Sequence, residues 1–211
     1  YREATGIRTG LAISVDKRIP AGAGLGGGSS DAAAALIGLE ALLRGGLSPS
    51  EIEGLGSSIG SDVPFFLSSA AAIVTGRGEK VNPIEARDDY RLVIAFPGFA
   101  VRTAWAYALL DQVRLDDCSE PDPDSTALVA AYHGDMRSWP FANSFEAVIS
   151  ASRPEVPAAK GILRSGGASF SAMSGSGSSV FGAFDGGADT REAVERLRAS
   201  GYTAYAVSPL A

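Results

Sequence analysis

The residue types best suited to chemistry are concentrated between Lys17 and Asp31, in KRIPAGAGLGGGSSD. Gly22, Gly24, Gly26, Gly27 and Gly28 leave a loop with almost no side chains. Glycine reaches backbone angles closed to other residues, so successive N–H groups can point at one anion. Ser29 and Ser30 follow where a helical pattern begins, and there unpaired N–H groups and the helix dipole favour negative charge. A polyphosphate suits such a loop. Two other readings of the glycines are a linker and a dinucleotide loop. A linker is not normally pinned between an alternating strand and a capped helix. Gly22, Gly24 and Gly27 fit G-x-G-x-x-G after a strand, but the extra glycines and Ser-Ser-Asp lie outside that fingerprint. Glu40, near the distance of a ribose-binding acid, falls inside the predicted helix. No Gly-Lys-Ser/Thr follows, which excludes a Walker loop.

Two charged residues could act with this loop. Lys17 stands directly ahead of it, and by residue type reads as a solvated charge at a strand end; Arg18 reads as surface. Asp62 precedes Val63-Pro64-Phe65-Phe66, where an ionised carboxylate is costly to bury unless it meets a cation or donors, so its placement suggests a catalytic task. Helix capping is the alternative. His133 is the only histidine and Cys118 the only cysteine, which leaves no metal constellation and no nucleophile–base pair for Ser-His or Cys-His hydrolysis. His133 is expected at the surface. A single cysteine excludes an intrachain disulfide and fits a reducing, cytoplasmic setting. With net charge −6, the chain has no bulk attraction for nucleic acid or an acidic membrane, so an anionic substrate must be held by local groups. No apolar run approaches the roughly 20 residues that span a bilayer.

The elements around these residues follow from periodicity. Leu11, Ile13 and Val15 alternate with Ala12, Ser14 and Asp16, predicting a half-buried strand that delivers the chain to the loop. Tyr1 to Gly10 reads as the end of an earlier helix. Leu36, Leu39 and Leu43 in an alanine-rich stretch predict a helix from about Ser30 to Arg44, stopped by Gly45-Gly46. Ser48-Pro49-Ser50-Glu51 is a capping box that opens a second helix. Ala70 to Thr75 and Lys80 to Ile84 read as strands joined through Gly76-Arg77-Gly78. The charged stretch from Glu85 to Tyr90 is a domain boundary, giving domains 1–88 and 89–211. In the second, Leu92 to Phe96 is a strand ended by Pro97-Gly98, and Thr103 opens a helix. Asp116 to Asp124 is an exposed acidic loop, Ala142 to Ile149 is helical, and Glu155 to Leu163 is another helix. Strands Ala168 to Met173 and Ser178 to Phe184, helix Thr190 to Ala199 and strand Tyr202 to Val207 complete the order of a ferredoxin-like sandwich, so the fold class is α+β.

Several blocks together resemble one family. Pro20 to Ala33, PAGAGLGGGSSDAA, is similar to the second motif of the GHMP kinases, small-molecule kinases named for galactose, homoserine, mevalonate and phosphomevalonate. Asp16-Lys17-Arg18-Ile19-Pro20 ahead of it and Gly60-Ser61-Asp62-Val63-Pro64-Phe65-Phe66 after it strengthen the likeness, and AMSGSGS from Ala172 to Ser178 resembles the third motif. The resemblance implies a two-domain GHMP kinase fold, with an N-terminal domain of the ribosomal S5 domain 2-like kind, here incomplete, and a ferredoxin-like C-terminal sandwich. It implies ATP and Mg²⁺ as cofactors. ATP would be held by Pro20, Ala21, Gly22, Ala23, Gly24, Leu25, Gly26, Gly27, Gly28, Ser29 and Ser30, with Ser29 at the metal. Asp62 would be the general base or the electrostatic partner of the attacking hydroxyl.

The wording is nearest the branch acting on a cytidine diphosphate sugar alcohol in the non-mevalonate isoprenoid pathway; homoserine or mevalonate kinases and a non-catalytic nucleotide-binding relative remain alternatives. Lys17, Thr103 and Tyr107 would bind this substrate, the aromatic by stacking on a base face. Gly175, Ser176 and Gly177 would form a second glycine loop against the first. Asn143 and Glu146 match the family's Asn-x-x-Glu element, read as structural. Asp31 stands where relatives often carry asparagine, and an ionised aspartate donates no hydrogen bond; a place near Mg²⁺ is the alternative. A monomer or homodimer, with neither nucleic acid nor membrane as partner, is implied. The family's first motif, with Pro-Ala-Lys, has no counterpart, and Tyr1 is not a start residue. The chain is therefore expected to be a piece of a longer kinase, inactive as it stands.

Overall fold

Alanine-rich sequence after the glycines gives the first long helix, and the rest of its unit packs around it. The computed structural model describes residues 1–113 and 124–210. They form two compact units, one of Tyr1–Ile19 with Gly26–Glu85, the other of Pro20–Leu25 with Ala86–Ala211.

In the first unit, α1 (Arg2–Thr5) precedes α2 (Gly27–Leu43), α3 (Pro49–Ile59) and α4 (Val63–Ser68), and β1 (Ala72–Thr75) pairs antiparallel with β2 (Lys80–Pro83). Ala33 and Leu36 of α2 and Val63 of α4 are its buried centre, flanked by Tyr1, Ile52, Leu55, Phe66 and Leu67. The Ser48 capping box forms as expected, the Ser48 hydroxyl accepting from the Glu51 amide and the Glu51 carboxylate from the Ser48 amide. Helix α2 ends at Arg44, in the left-handed region ahead of the two glycines. It begins three residues earlier than the apolar spacing predicts, at Gly27, because small residues that add nothing to the periodicity can still take helical angles.

The strand expected over Leu11–Val15 does not form. These residues take no ladder bonds among the described residues, and Ile13 is 63% exposed. Alternation shows which face a strand would bury, but strand structure also needs a neighbouring edge to take its hydrogen bonds.

The second unit holds β3 (Tyr90–Phe96), α5 (Thr103–Val113), α6 (Ser125–His133), a 3-10 turn (Met136–Ser138), α7 (Glu146–Ser152), α8 (Glu155–Ser165), β4 (Phe170–Met173), β5 (Val180–Asp185), α9 (Arg191–Ala199) and β6 (Thr203–Val207). The sheet runs β4-β5-β3-β6 with every pairing antiparallel, the ferredoxin-like arrangement. Val93, Phe184 and Met173 from the sheet meet Ile149, Val156, Leu163 and Leu197 from the helices in one buried core. Helix α7 starts at Glu146, four residues later than expected, since Asn143 uses its side chain on the Phe145 amide. The acidic loop expected over Asp116–Asp124 lies outside the described residues except for Asp124, whose carboxylate caps α6 at the Thr126 amide. His133 ends α6, exposed, its ring edge-on to Tyr132.

Arg87 fastens the start of this unit. It donates to the carbonyls of Tyr132 and Gly134, pairs with Asp89, and its guanidinium lies 5.8 Å from the ring centres of Tyr90, Tyr132 and Trp139. A cation among three rings gains from each ring's negative face.

Candidate phosphate-binding site

The first glycine loop turns its acceptors into the protein. In the second unit, the Gly22 carbonyl accepts from the Val101 amide at 2.9 Å, the Ala23 carbonyl from the Ser179 amide at 3.0 Å, and the Gly24 carbonyl from the Ser174 hydroxyl at 2.8 Å. From Ala21 to Ser29, by contrast, no backbone amide makes a well-aligned hydrogen bond to a described residue. Gly22, Gly24 and Gly26 have φ of +69°, +75° and +64°, the left-handed region that favours glycine. At Gly24 the need is also steric, since an added Cβ would lie 2.2 Å from the Ser174 carbonyl oxygen and 2.8 Å from that of Gly177.

The second glycine loop is held from below by α7 and its approach. The Asn143 amide group donates to the carbonyls of Met173 at 2.8 Å and Gly175 at 2.7 Å, and Glu146 accepts from the Met173 amide at 2.8 Å. The other Glu146 oxygen pairs with Lys160. The Ser178 hydroxyl donates to the Phe99 carbonyl. Ser176 reaches sideways, its hydroxyl 3.2 Å from that of Thr103 at the start of α5. One turn on, Tyr107 packs edge-on against Phe145 with ring centres 4.9 Å apart and stays 54% exposed, so the rest of its ring is open to a partner.

In the first unit, Gly26 is the N-cap of α2 and lies against the Phe66 ring, where a Cβ would come within 2.6 Å. Ser30 does not cap the helix from outside; its hydroxyl donates back to the Gly27 carbonyl at 3.0 Å. The Ser29 hydroxyl makes no hydrogen bond to a described residue. Lys17 folds over this first turn and pairs with Asp31, so the two residues singled out separately from sequence meet each other. Asp62 is the N-cap residue of α4 and makes no capping bond. It is exposed, while Val63 and Pro64 beside it are buried, so the argument from burial of an ionised carboxylate does not apply. Asp62 makes no hydrogen bond to Gly26–Ser30.

Residues 1–75 match the N-terminal domain of the GHMP kinases and residues 127–203 their C-terminal domain. A 4-diphosphocytidyl-2-C-methyl-D-erythritol kinase of Treponema pallidum is 42% identical over 203 residues, 93% of this chain and 70% of that protein. The chain belongs to the GHMP kinase family. A kinase of the same name from Thermodesulfovibrio yellowstonii is 37% identical over 90% of this chain and 68% of its own length. Among solved structures, a 4-(cytidine 5'-diphospho)-2C-methyl-D-erythritol kinase is 36% identical with a TM-score of 0.80, covering 99% of this chain and 74% of that one. A homoserine kinase from Cytophaga hutchinsonii shares the fold, with a TM-score of 0.66 at 16% identity, over 92% of this chain and 68% of its own.

In a GHMP kinase, amides without well-aligned acceptors among the described residues, from Ala21 to Ser29, suit the phosphates of a nucleotide. Mg²⁺ is held by a few protein oxygens plus water and substrate phosphates, and the Ser29 hydroxyl and Asp62 carboxylate are both free of partners among the described residues. Asp31 is less suited, being engaged by Lys17. Sequence reasoning missed Ser174, Ser179 and Val101, which hold the loop carbonyls. Bonds to main-chain oxygens put little demand on residue type, and the AMSGSGS motif is the one sequence signal that includes any of them.

Proposed function

We propose that this chain carries the phosphoryl-transfer site of a 4-diphosphocytidyl-2-C-methyl-D-erythritol kinase, which in the complete protein moves the γ-phosphate of ATP onto the substrate's 2-hydroxyl. The observation that carries this reading is the run of amides from Ala21 to Ser29 left without well-aligned acceptors among the described residues while the neighbouring carbonyls are tied down. Amides fixed in this way are preorganised donors for phosphate oxygens and need no rearrangement as charge develops. The 42% identity to a kinase of that name supports the choice of substrate.

In this reading the loop Pro20–Ser30 grips the phosphates, and the first turn of α2 adds its dipole. Lys17 offers a cation, and Thr103 and Tyr107 meet the cytosine end. Asp62 accepts the proton of the attacking hydroxyl as oxygen bonds to phosphorus and the bond to the leaving diphosphate breaks. Mg²⁺ supplies charge neutralisation when bound, with Ser29 as its protein ligand. Asp62→Asn in the complete protein tests the assignment: turnover should fall at least about a thousandfold with ATP binding within a few-fold of the parent. Retained turnover would remove Asp62 from the mechanism, and phosphorylation of homoserine or mevalonate in preference to the cytidine substrate would overturn the substrate assignment.

A further inference from the structure

Apart from the face that carries Thr103 and Tyr107, the second unit holds a cavity of ≈ 820 Å³, within the size range of small-molecule sites. It lies between α7, α8, the Arg137–Asn143 segment and the outer edge of β4. Edge strands carry unpaired main-chain groups. In β4 the Ser174 amide bonds to Ser179 across the pair with β5, while the Met173 amide turns away to Glu146. Alternation along an antiparallel ladder therefore turns the N–H of Ser171 outward as well. Ser171 is buried and lines the cavity.

The cavity has a basic side and an aromatic side. Arg137, Lys160 and Arg164 face it against one carboxylate, Glu146, in a chain whose net charge is −6. Lys160 is paired with Glu146, and Arg137 with Asp185 and Asp135. Arg164 differs, because its Nε is steadied on the Ser171 hydroxyl at 3.0 Å while its two terminal nitrogens have no partner among the described residues. A guanidinium anchored at Nε with its outer fork open presents paired donors to an oxyanion. On the other side Trp139, Phe141 and Phe170 meet in tilted and edge-on contacts with centres 5.4 to 6.4 Å apart.

We infer that this cavity binds a small ring-bearing oxyanion, its phosphate or carboxylate on Arg164 and the outward Ser171 amide and its ring against Trp139, Phe141 and Phe170. No glycine-loop residue lines the cavity, although Asn143 and Glu146 in its wall also hold the second loop, and the inference does not rest on the kinase reading. Trp139 is a built-in reporter once every other tryptophan of the complete protein, Trp105 among them, is replaced by phenylalanine. In that protein, titration with phenyl phosphate should change Trp139 emission saturably, and benzoate should compete. Adding Arg164→Gln should weaken binding at least tenfold, and so should Ala147→Glu, which places a second carboxylate in the cavity from an exposed position on α7. An unchanged Trp139 signal, an equal response in both variants with native circular dichroism, or phenol binding as tightly as phenyl phosphate would each overturn the assignment. Saturating ATP should leave the titration unaltered; full competition by ATP would assign the anion to the glycine loop instead.

Discussion

The Ser174 hydroxyl donates to the Gly24 carbonyl at 2.8 Å, and the Ser174 carbonyl lies where a Gly24 Cβ would have to go. The wall that a Gly24 side chain would meet is therefore main chain, with no flexible side chain to yield. Gly24→Ala would meet this wall at φ +75° and should cost at least about 2 kcal/mol in urea unfolding. Gly28→Ala is the contrast. Its Cβ meets nothing within 4 Å and its backbone is already helical, so it should stabilise by up to about 1 kcal/mol. If phosphates lie against this turn, Gly28→Ala should still weaken ATP binding severalfold, separating a folding role from a binding one.

The Lys17–Asp31 pair is partly exposed on both sides, so breaking it should change stability by no more than about 1 kcal/mol. Its effect on ligands should be larger. Asp31→Asn removes a negative charge from the first turns of α2 and releases the Lys17 ammonium toward an incoming polyphosphate. ATP affinity measured at low salt should rise two- to tenfold in this variant, and the gain should shrink as salt is added. Lys17→Met should move affinity the other way.

Asn143 supports two carbonyls of the second glycine loop and accepts the Phe145 amide. Asn143→Ala should cost about 1–3 kcal/mol, the range for orphaning partly buried partners. Asn143→Asp keeps the acceptor but loses both donors and places a charge beside two carbonyl oxygens, so it should be no better than alanine. Chemical denaturation of the three proteins ranks them.

Tyr90 gives a pH signature. Burial, and then its hydrogen bond with Tyr132, raise its hydroxyl above the ordinary value near 10. The folded state therefore keeps a proton that the unfolded state releases. The stabilisation is fully present below the unfolded pKa and is lost as pH climbs through the folded one. Unfolding free energies measured between pH 9 and 11 should decline in the parent and decline less in Tyr90→Phe.

Local sequence determined a good deal of this protein. The Ser48–Glu51 capping box, the α2 stop at Arg44, the β1–β2 hairpin and the strand–helix order of the second unit all rest on interactions within a few residues or on a periodicity that matches the core. The glycine loop was legible because its left-handed angles favour glycine. Tertiary structure decided the rest. Leu11–Val15 has a strand's alternation yet takes no ladder bonds among the described residues, since a ladder bond belongs to two segments and alternation specifies one. Lys17 and Asp62 are both charges beside a motif, but the fold gives Lys17 a carboxylate 14 residues away and leaves Asp62 exposed and without a partner among the described residues. A side chain's type sets which bonds it can make, and only folding decides which partners come within reach.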